Sequence, residues 1–218
     1  MRHKILVSTM ILGLAATVSG CKIVKNPDPN SAAETEAQQT DEVRMANFAR
    51  EIWAPEVLPA IAEHLVPLAD LRAEQAKDEE AAGKAHGLRP EGEANPWNFA
   101  VSGSGVIIEA KLKSRAAKLP VDTDADGAAD VTVQLGPIIR GTALRDAMPF
   151  LVFTNFRDQI EFAKLAAGLN AMAHEGLTLP DPETDVIGQT ITFEGVFTYK
   201  NATSKPEVVP TALTFEAP

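Results

Sequence analysis

A single cysteine, Cys21, is all the thiol this 218-residue chain carries, which excludes an internal disulfide framework. Tyrosine occurs once and tryptophan only twice, as Trp53 and Trp97. The side chains of covalent catalysis are equally thin. His64, His86 and His174 stand far apart with no HExxH-like spacing, and Ser102 and Ser104 sit in Gly-Ser-Gly rather than in a GxSxG elbow. Positive charge is scarce as well: 20 Lys and Arg face 30 Asp and Glu, for a formal charge of −10. So acidic a chain lacks the basic surface that phosphate backbones require, which argues against nucleic acid as a partner. No apolar run reaches the ~20 residues of a membrane-spanning helix; Ile5 to Val18 is shorter.

What is present begins at the N-terminus. Met1-Arg2-His3-Lys4 is basic, Ile5 to Val18 is apolar and uncharged, and Val18-Ser19-Gly20-Cys21 resembles a bacterial lipobox. The layout predicts a lipoprotein signal peptide over 1–20 and acylation (palmitate among the chains) on Cys21. The alternative is an ordinary signal with a chance cysteine at its end, and Cys21 being the sole cysteine speaks against it. One acyl chain binds a bilayer only marginally, and the two or three chains of bacterial lipoproteins make an anchor effectively permanent. Removing 1–20 takes away Arg2 and Lys4 and leaves a formal charge of −12. The expected location is therefore the cell envelope, periplasm-facing and lipid-anchored, with the choice of membrane open.

Residues 21–40, with Pro-Asp-Pro and then Ser, Ala, Glu and Gln, predict a flexible tether. A helical segment is expected over 41–95. Thr40 or Asp41 caps its start, and Val43, Phe48, Ile52 and Trp53 recur at helical spacing. Pro55 is expected to start a second piece, Pro67 to break it, and Leu68 to Ala85 to form one charged helix.

From residue 96 the composition turns β-branched and Gly-rich. Phe99 to Leu112 reads as a strand bulged or sharply bent at Gly-Ser-Gly, Lys113 to Leu119 as a short paired segment, and Asp130 to Leu135 as a strand with Val131, Val133 and Leu135 on one face. Ile138-Ile139 reads as a further extended piece. Asn155 is the expected cap of a helix to about Ala173, with a stripe of Phe156, Ile160, Ala163 and Ala167 widened by Leu165, Leu169 and Met172, and Gly176 as its left-handed end. Ile187 to Tyr199 and Val208 to Phe215 close the chain as strands. The fold class is α+β: an N-terminal helical segment packed on a small OB-like five-stranded β-barrel over 96–218, with one helix between strands three and four.

Three stretches carry a resemblance to a known family. They are Asp122-Thr-Asp-Ala-Asp-Gly127, the run from Gln134 to Asp146 (QLGPIIRGTALRD), and Phe153 to Ile160 (FTNFRDQI), with Trp53 to Pro59 fitting too. The chain resembles the bacterial predicted periplasmic lipoproteins grouped as domain of unknown function 2291. That resemblance implies a lipoprotein encoded beside sugar-uptake ABC transporters and supplies no catalytic residues.

Two constellations are candidate sites. Asp122, Asp124, Asp126 and Asp130, with Gly127 to turn the loop, place carboxylates at alternating positions suited to Ca2+. Val133 stands where an EF-hand has its bidentate glutamate, so millimolar affinity is expected; the competing reading is a plain acidic turn. Arg140, Arg145 and Asp146 around Gly141 suit an anionic or hydroxylated ligand, or else an internal ion pair. The function this supports is a non-catalytic binding or accessory protein whose partners are transporter proteins or a small sugar-like ligand. The alternatives are a metal-dependent envelope hydrolase using the Asp loop, or a purely structural envelope lipoprotein.

Overall fold

The computed structural model describes residues 40–90, 92 and 94–216. The signal peptide, Cys21 and all of the tether but Thr40 lie outside them.

Helix α1 spans Asp41–Ile52, and the Thr40 hydroxyl oxygen accepts from the Val43 amide at its start. The chain does not restart at Pro55 as expected. It widens into a π turn over Trp53–Val57 and runs on into α2, Leu58–Glu63. A proline inside an α-helix removes one rung and clashes with the preceding turn, and the wider turn takes up both. After Val66–Pro67, the charged stretch forms two helices rather than one: α3, Leu68–Gln75, and α4, Glu79–His86. The cause is Asp78, whose carboxylate accepts from the Glu80 and Ala81 amides and so opens a fresh helix.

Five strands follow: β1 Asn98–Ile107, β2 Ala116–Asp122, β3 Val131–Pro137, β4 Thr190–Thr198 and β5 Glu207–Phe215. They pair in the order β1-β2-β3-β5-β4, and β4 returns to β1 along its whole length, so the sheet closes. All pairs are antiparallel except β3 with β5, which run parallel through Thr132↔Glu207 and Val133↔Val208. Between β3 and β4 come α5 (Ala143–Asp146) and α6 (Gln159–Glu175). This is the strand order of an OB-fold barrel.

Local differences from the sequence reading have physical causes. Gly-Ser-Gly is not a bulge: β1 pairs with β4 without a slip from Asn98↔Thr198 to Val106↔Thr190. The glycines are there for close approach, since a Cβ on Gly105 would lie 2.2 Å from the Asp122 carbonyl oxygen and one on Gly103 2.5 Å from the Phe193 ring. Ile138-Ile139 forms no strand; β3 ends at the cis Gly136–Pro137 bond, and Ile139 turns inward while Ile138 stays exposed. Asp158, not Asn155, caps α6, accepting from the Ile160 and Glu161 amides. The buried face is the one that packs on α1, not the Ile160 stripe. Ile160 is 64% exposed, while Leu165, Leu169 and Ala173 are buried. Gly176 ends the helix in a right-handed conformation, not a left-handed one.

Two cores result. The barrel interior holds Phe99, Val101, Leu119, Val133, Phe193 and Val208, and α3 adds Leu68 and Leu71 to it. The second core lies between the helices and the outer barrel wall, joining Met45, Ala49, Val57, Leu165 and Leu169 to Ala100, Val196 and Val209. Successive residues of β1, β4 and β5 therefore enter different cores at Phe99 to Val101, Val196-Phe197 and Val208-Val209, which is why these stretches are apolar without alternation. Each fully buried leucine or phenylalanine contributes roughly 1.5–3 kcal/mol relative to exposure. Helices α1 and α6 meet closely at Gly168, where a Cβ would come within 3.0 Å of the Ala49 side chain and the Met45 carbonyl. Beside that contact, Arg44 and Arg157 both pair with Asp41 and with the buried Glu161.

Candidate functional site

The Asp loop is the turn between β2 and β3. Asp122 is buried at the end of β2, and its carboxylate accepts from the amides of Asp124 (3.2 Å), Ala125 (2.7 Å) and Gly127 (2.8 Å). Those amides, Gly127's first, hold the Asp122 carboxyl below its ordinary value. Asp130 at the other end accepts from the Thr123 amide and hydroxyl at 2.7 and 2.9 Å. Burial pushes the Asp130 carboxyl up, but Thr123 and the Arg72 charge outweigh it and leave the net shift downward. Carboxylate oxygens of Asp122, Asp124 and Asp130 come within 4.8 Å of one another. Asp126 stays outside this group and accepts from the Ala128 amide at 2.7 Å. Three of the four expected ligands are thus brought together, in a loop that its own amides already close.

A second locus is the β4–β5 connection, Lys200 to Pro206, where the sequence offered no candidate site. Asn201 folds it: one side-chain oxygen accepts from the Thr203 amide (3.1 Å), the Thr203 hydroxyl (2.8 Å) and the Ser204 hydroxyl (2.9 Å). Asn201-Ala-Thr203 reads as a glycosylation sequon in sequence, yet here it is a turn that bonds to itself. A cleft lies on each side of this loop. The first, about 230 Å³, is bounded by Gln134, Arg140, Lys200, Lys205 and Glu207 over a floor that includes Phe197 and Val209. The second, about 330 Å³, is bounded by Arg72, Gln75, Asp130, Tyr199 and Asn201. Among the described residues Gln75 Nε2 is buried without a hydrogen-bond partner. Burial, with the Glu79 carboxylate nearby, pushes the Tyr199 phenol up to about 12.

The Arg140 loop is braced at every peptide. Gln134 accepts from the Arg140 amide at 2.9 Å and donates to its carbonyl at 3.2 Å. Asn170 of α6 donates to the carbonyls on either side, Ile139 at 3.3 Å and Gly141 at 3.0 Å. Gly141 takes φ +95°, a conformation that L side chains disfavour.

The three residues grouped around Gly141 do not form one site. Arg140 faces the first cleft, whereas Arg145 and Asp146 line a third, of about 450 Å³, with Met148, Phe153 and Phe162. There Arg145 pairs with Asp146 at 2.6 Å, stacks 3.8 Å from the centre of the Phe162 ring and donates to the Phe162 carbonyl; Asp146 accepts from Thr142 at 2.6 Å. Both groups are spent on holding α5 against α6.

Trp53 is buried in the helical core, and Trp97 lies against Gly83 and Gly87 of α4 with Arg89 over its ring. His86 bonds Glu74 and His174 bonds the Leu135 carbonyl, 2.8 and 2.7 Å respectively.

Comparison with known proteins completes the picture. A family model described as predicted periplasmic lipoprotein (DUF2291) matches residues 11–214. No curated protein matches the chain. Among solved structures, the chain is similar to the crystal structure of an OB-fold protein from Thermotoga maritima, with 20% identity and a TM-score of 0.61. The match covers 79% of this chain and 98% of that one.

Proposed function

The chain belongs to the DUF2291 family of predicted periplasmic lipoproteins, and from that membership we propose that it is a lipid-anchored, non-catalytic binding protein accessory to a sugar-uptake transporter. Cys21 carries the anchor, and residues 21–40 are the tether that joins it to the barrel. The observation that carries the reading is the β4–β5 loop, closed on itself by Asn201 between two clefts. Clefts with a few convergent polar groups are the usual form of a small-ligand site. Gln75 at the second cleft keeps a buried amide nitrogen unspent, and such atoms ordinarily find a partner. The test is detergent solubilisation of membranes holding the acylated chain, followed by quantitative proteomics of what co-purifies. Enrichment of the substrate-binding or permease subunits of a sugar transporter is the expected outcome, and their absence after crosslinking removes the accessory role.

The carboxylate cluster favours one second reading, a structural Ca2+ on Asp122, Asp124 and Asp130. Oxygen ligands from a short acidic loop suit a hard cation. A metal-dependent hydrolase would require this same ion and a substrate beside it, so calcium titration tests both.

A further inference from the structure

We infer that the first cleft, between the Arg140 loop and the β4–β5 loop, is a binding site for a small organic oxyanion, a carboxylate or phosphate ester about the size of one sugar ring. The inference rests on the binding role proposed above and names the ligand class of that site.

Charge is the first argument. The mature chain is strongly acidic, and eight of its cations are neutralised by neighbours: Arg44, Arg72, Lys84, Lys111, Lys113, Arg145, Arg157 and Lys164 all pair with carboxylates. Among the described residues Arg140, Lys200 and Lys205, like Arg50, Lys77, Arg115 and Lys118, have no carboxylate partner, and these three border one cleft. Glu207 is the only acid among the lining residues, so the cleft is net positive in a negative molecule. Such a locus concentrates anions against the repulsion of the remaining surface.

Preorganisation is the second. An exposed arginine on a loose loop gives up freedom when it binds, and that loss weakens affinity. Arg140 is different. Gln134 clasps its own peptide on both sides, and Asn170 holds the carbonyls before and after it. Lys200 and Lys205 flank a loop that Asn201 has already folded. The backbone is fixed while the cationic ends remain unspent, which is the arrangement that favours charge-assisted hydrogen bonds to an incoming anion.

Size and lining set the class. At about 230 Å³ the cleft falls below the roughly 300–1,000 Å³ of drug-sized sites, so it suits a small solute. Its other polar groups are engaged, Gln134 with Arg140, Thr198 with Asn98, Ser204 with Asn201 and the Tyr199 hydroxyl beside the Glu79 carboxylate, so charge rather than hydroxyl matching selects the ligand.

The experiment is isothermal titration of the acylated full chain in detergent with glucuronate, glucose 6-phosphate, inorganic phosphate and glucose. Binding of the anions and not of glucose, weakened as salt rises, is the expected result. Arg140→Gln should lose about tenfold or more for the anions, the scale of one charge-assisted hydrogen bond. Arg50→Ala, the same loss of charge on α1, should change nothing, and Glu207→Gln should tighten binding. Equal affinity for glucose and glucuronate, or equal losses in Arg140→Gln and Arg50→Ala, overturns the oxyanion class while the accessory role stands on its own co-purification test. Binding only to phosphatidylglycerol vesicles would assign the cleft to a lipid headgroup and overturn the small-solute ligand.

Discussion

Arg72 of α3 holds Asp130 at two points, its guanidinium 2.6 Å from the main-chain carbonyl oxygen and 3.3 Å from the side-chain carboxylate. Through this pair the helical segment grips the loop that starts β3. Both side chains are partly exposed, so screening limits the ion pair itself, and the hydrogen bond to a main-chain oxygen adds to it. Arg72→Ala is expected to cost roughly 1 kcal/mol, a fall of about 2–4 °C in Tm for a chain this size. A thermal melt checks it, and an unchanged Tm would show that the barrel holds its loop without the helix.

Acid should loosen the fold from the same loop. Asp122 is held below its ordinary value of 3.8 by three amides, and Glu161 below 4.5 by the Arg157 amide first and then by the Arg157 and Arg44 charges. A carboxyl lowered in the folded state adds stability that is fully present above its unfolded value and lost as pH falls through the folded one. Tm should therefore be flat from pH 7 to about 5 and fall below about pH 4, and Asp122→Asn should flatten part of that fall. A Tm that rises on acidification contradicts the assignment.

Gly105→Ala tests the crossing of β1 over the end of β2. The new methyl would overlap the Asp122 carbonyl, a backbone atom with little room to yield. Overpacking of this kind costs typically 1–3 kcal/mol, read as a lower midpoint in urea with an unchanged slope. Gly127→Ala, whose Cβ would meet nothing within 4 Å, is strained only by its φ of +85° and should cost less.

Calcium provides a fourth test. Titration into the metal-free protein should give millimolar binding, abolished in Asp124→Asn and tightened in Arg72→Ala, because the arginine competes electrostatically for the same carboxylates. Absence of heat at millimolar calcium would leave the loop as a self-closed turn and deprive a metal-dependent hydrolase of its ion.

For the anchor, intact-mass analysis of protein extracted from membranes should find the chain beginning at a diacylated or triacylated Cys21. Cys21→Ser should appear in the soluble fraction. Unmodified Cys21 on a freely released protein would refute the lipid anchor.

How much of this was legible in the chain follows from the range of each interaction. Alternation at Val131, Val133 and Leu135 is local and survives folding unchanged, and so does the Thr40 cap. The helix before β4 was also legible, but not its face, because the Leu165–Leu169–Ala173 side is chosen by packing against Met45 and Ala49 of α1, a contact distant in sequence. The Asp loop could be read as a cluster because its members are neighbours in sequence. The first cleft could not. Gln134 and Arg140 stand 60 or more positions before Lys200 and Lys205 in the chain, and the parallel pairing of β3 with β5 brings them together. Arg140 and Arg145, five positions apart, suggested one site and face two.

The two-residue Val66–Pro67 segment has a use beyond joining helices. It lies parallel along β1 at Val101 and Ser102, on the margin not taken by β4, and its proline has no N–H to offer. A protein tethered to a bilayer meets its own copies at high two-dimensional density, where any unpaired strand margin invites them to stack into fibres. With the sheet closed on one side of β1 and this blunt proline pressed against the other, neighbours can crowd the membrane without stitching their sheets together.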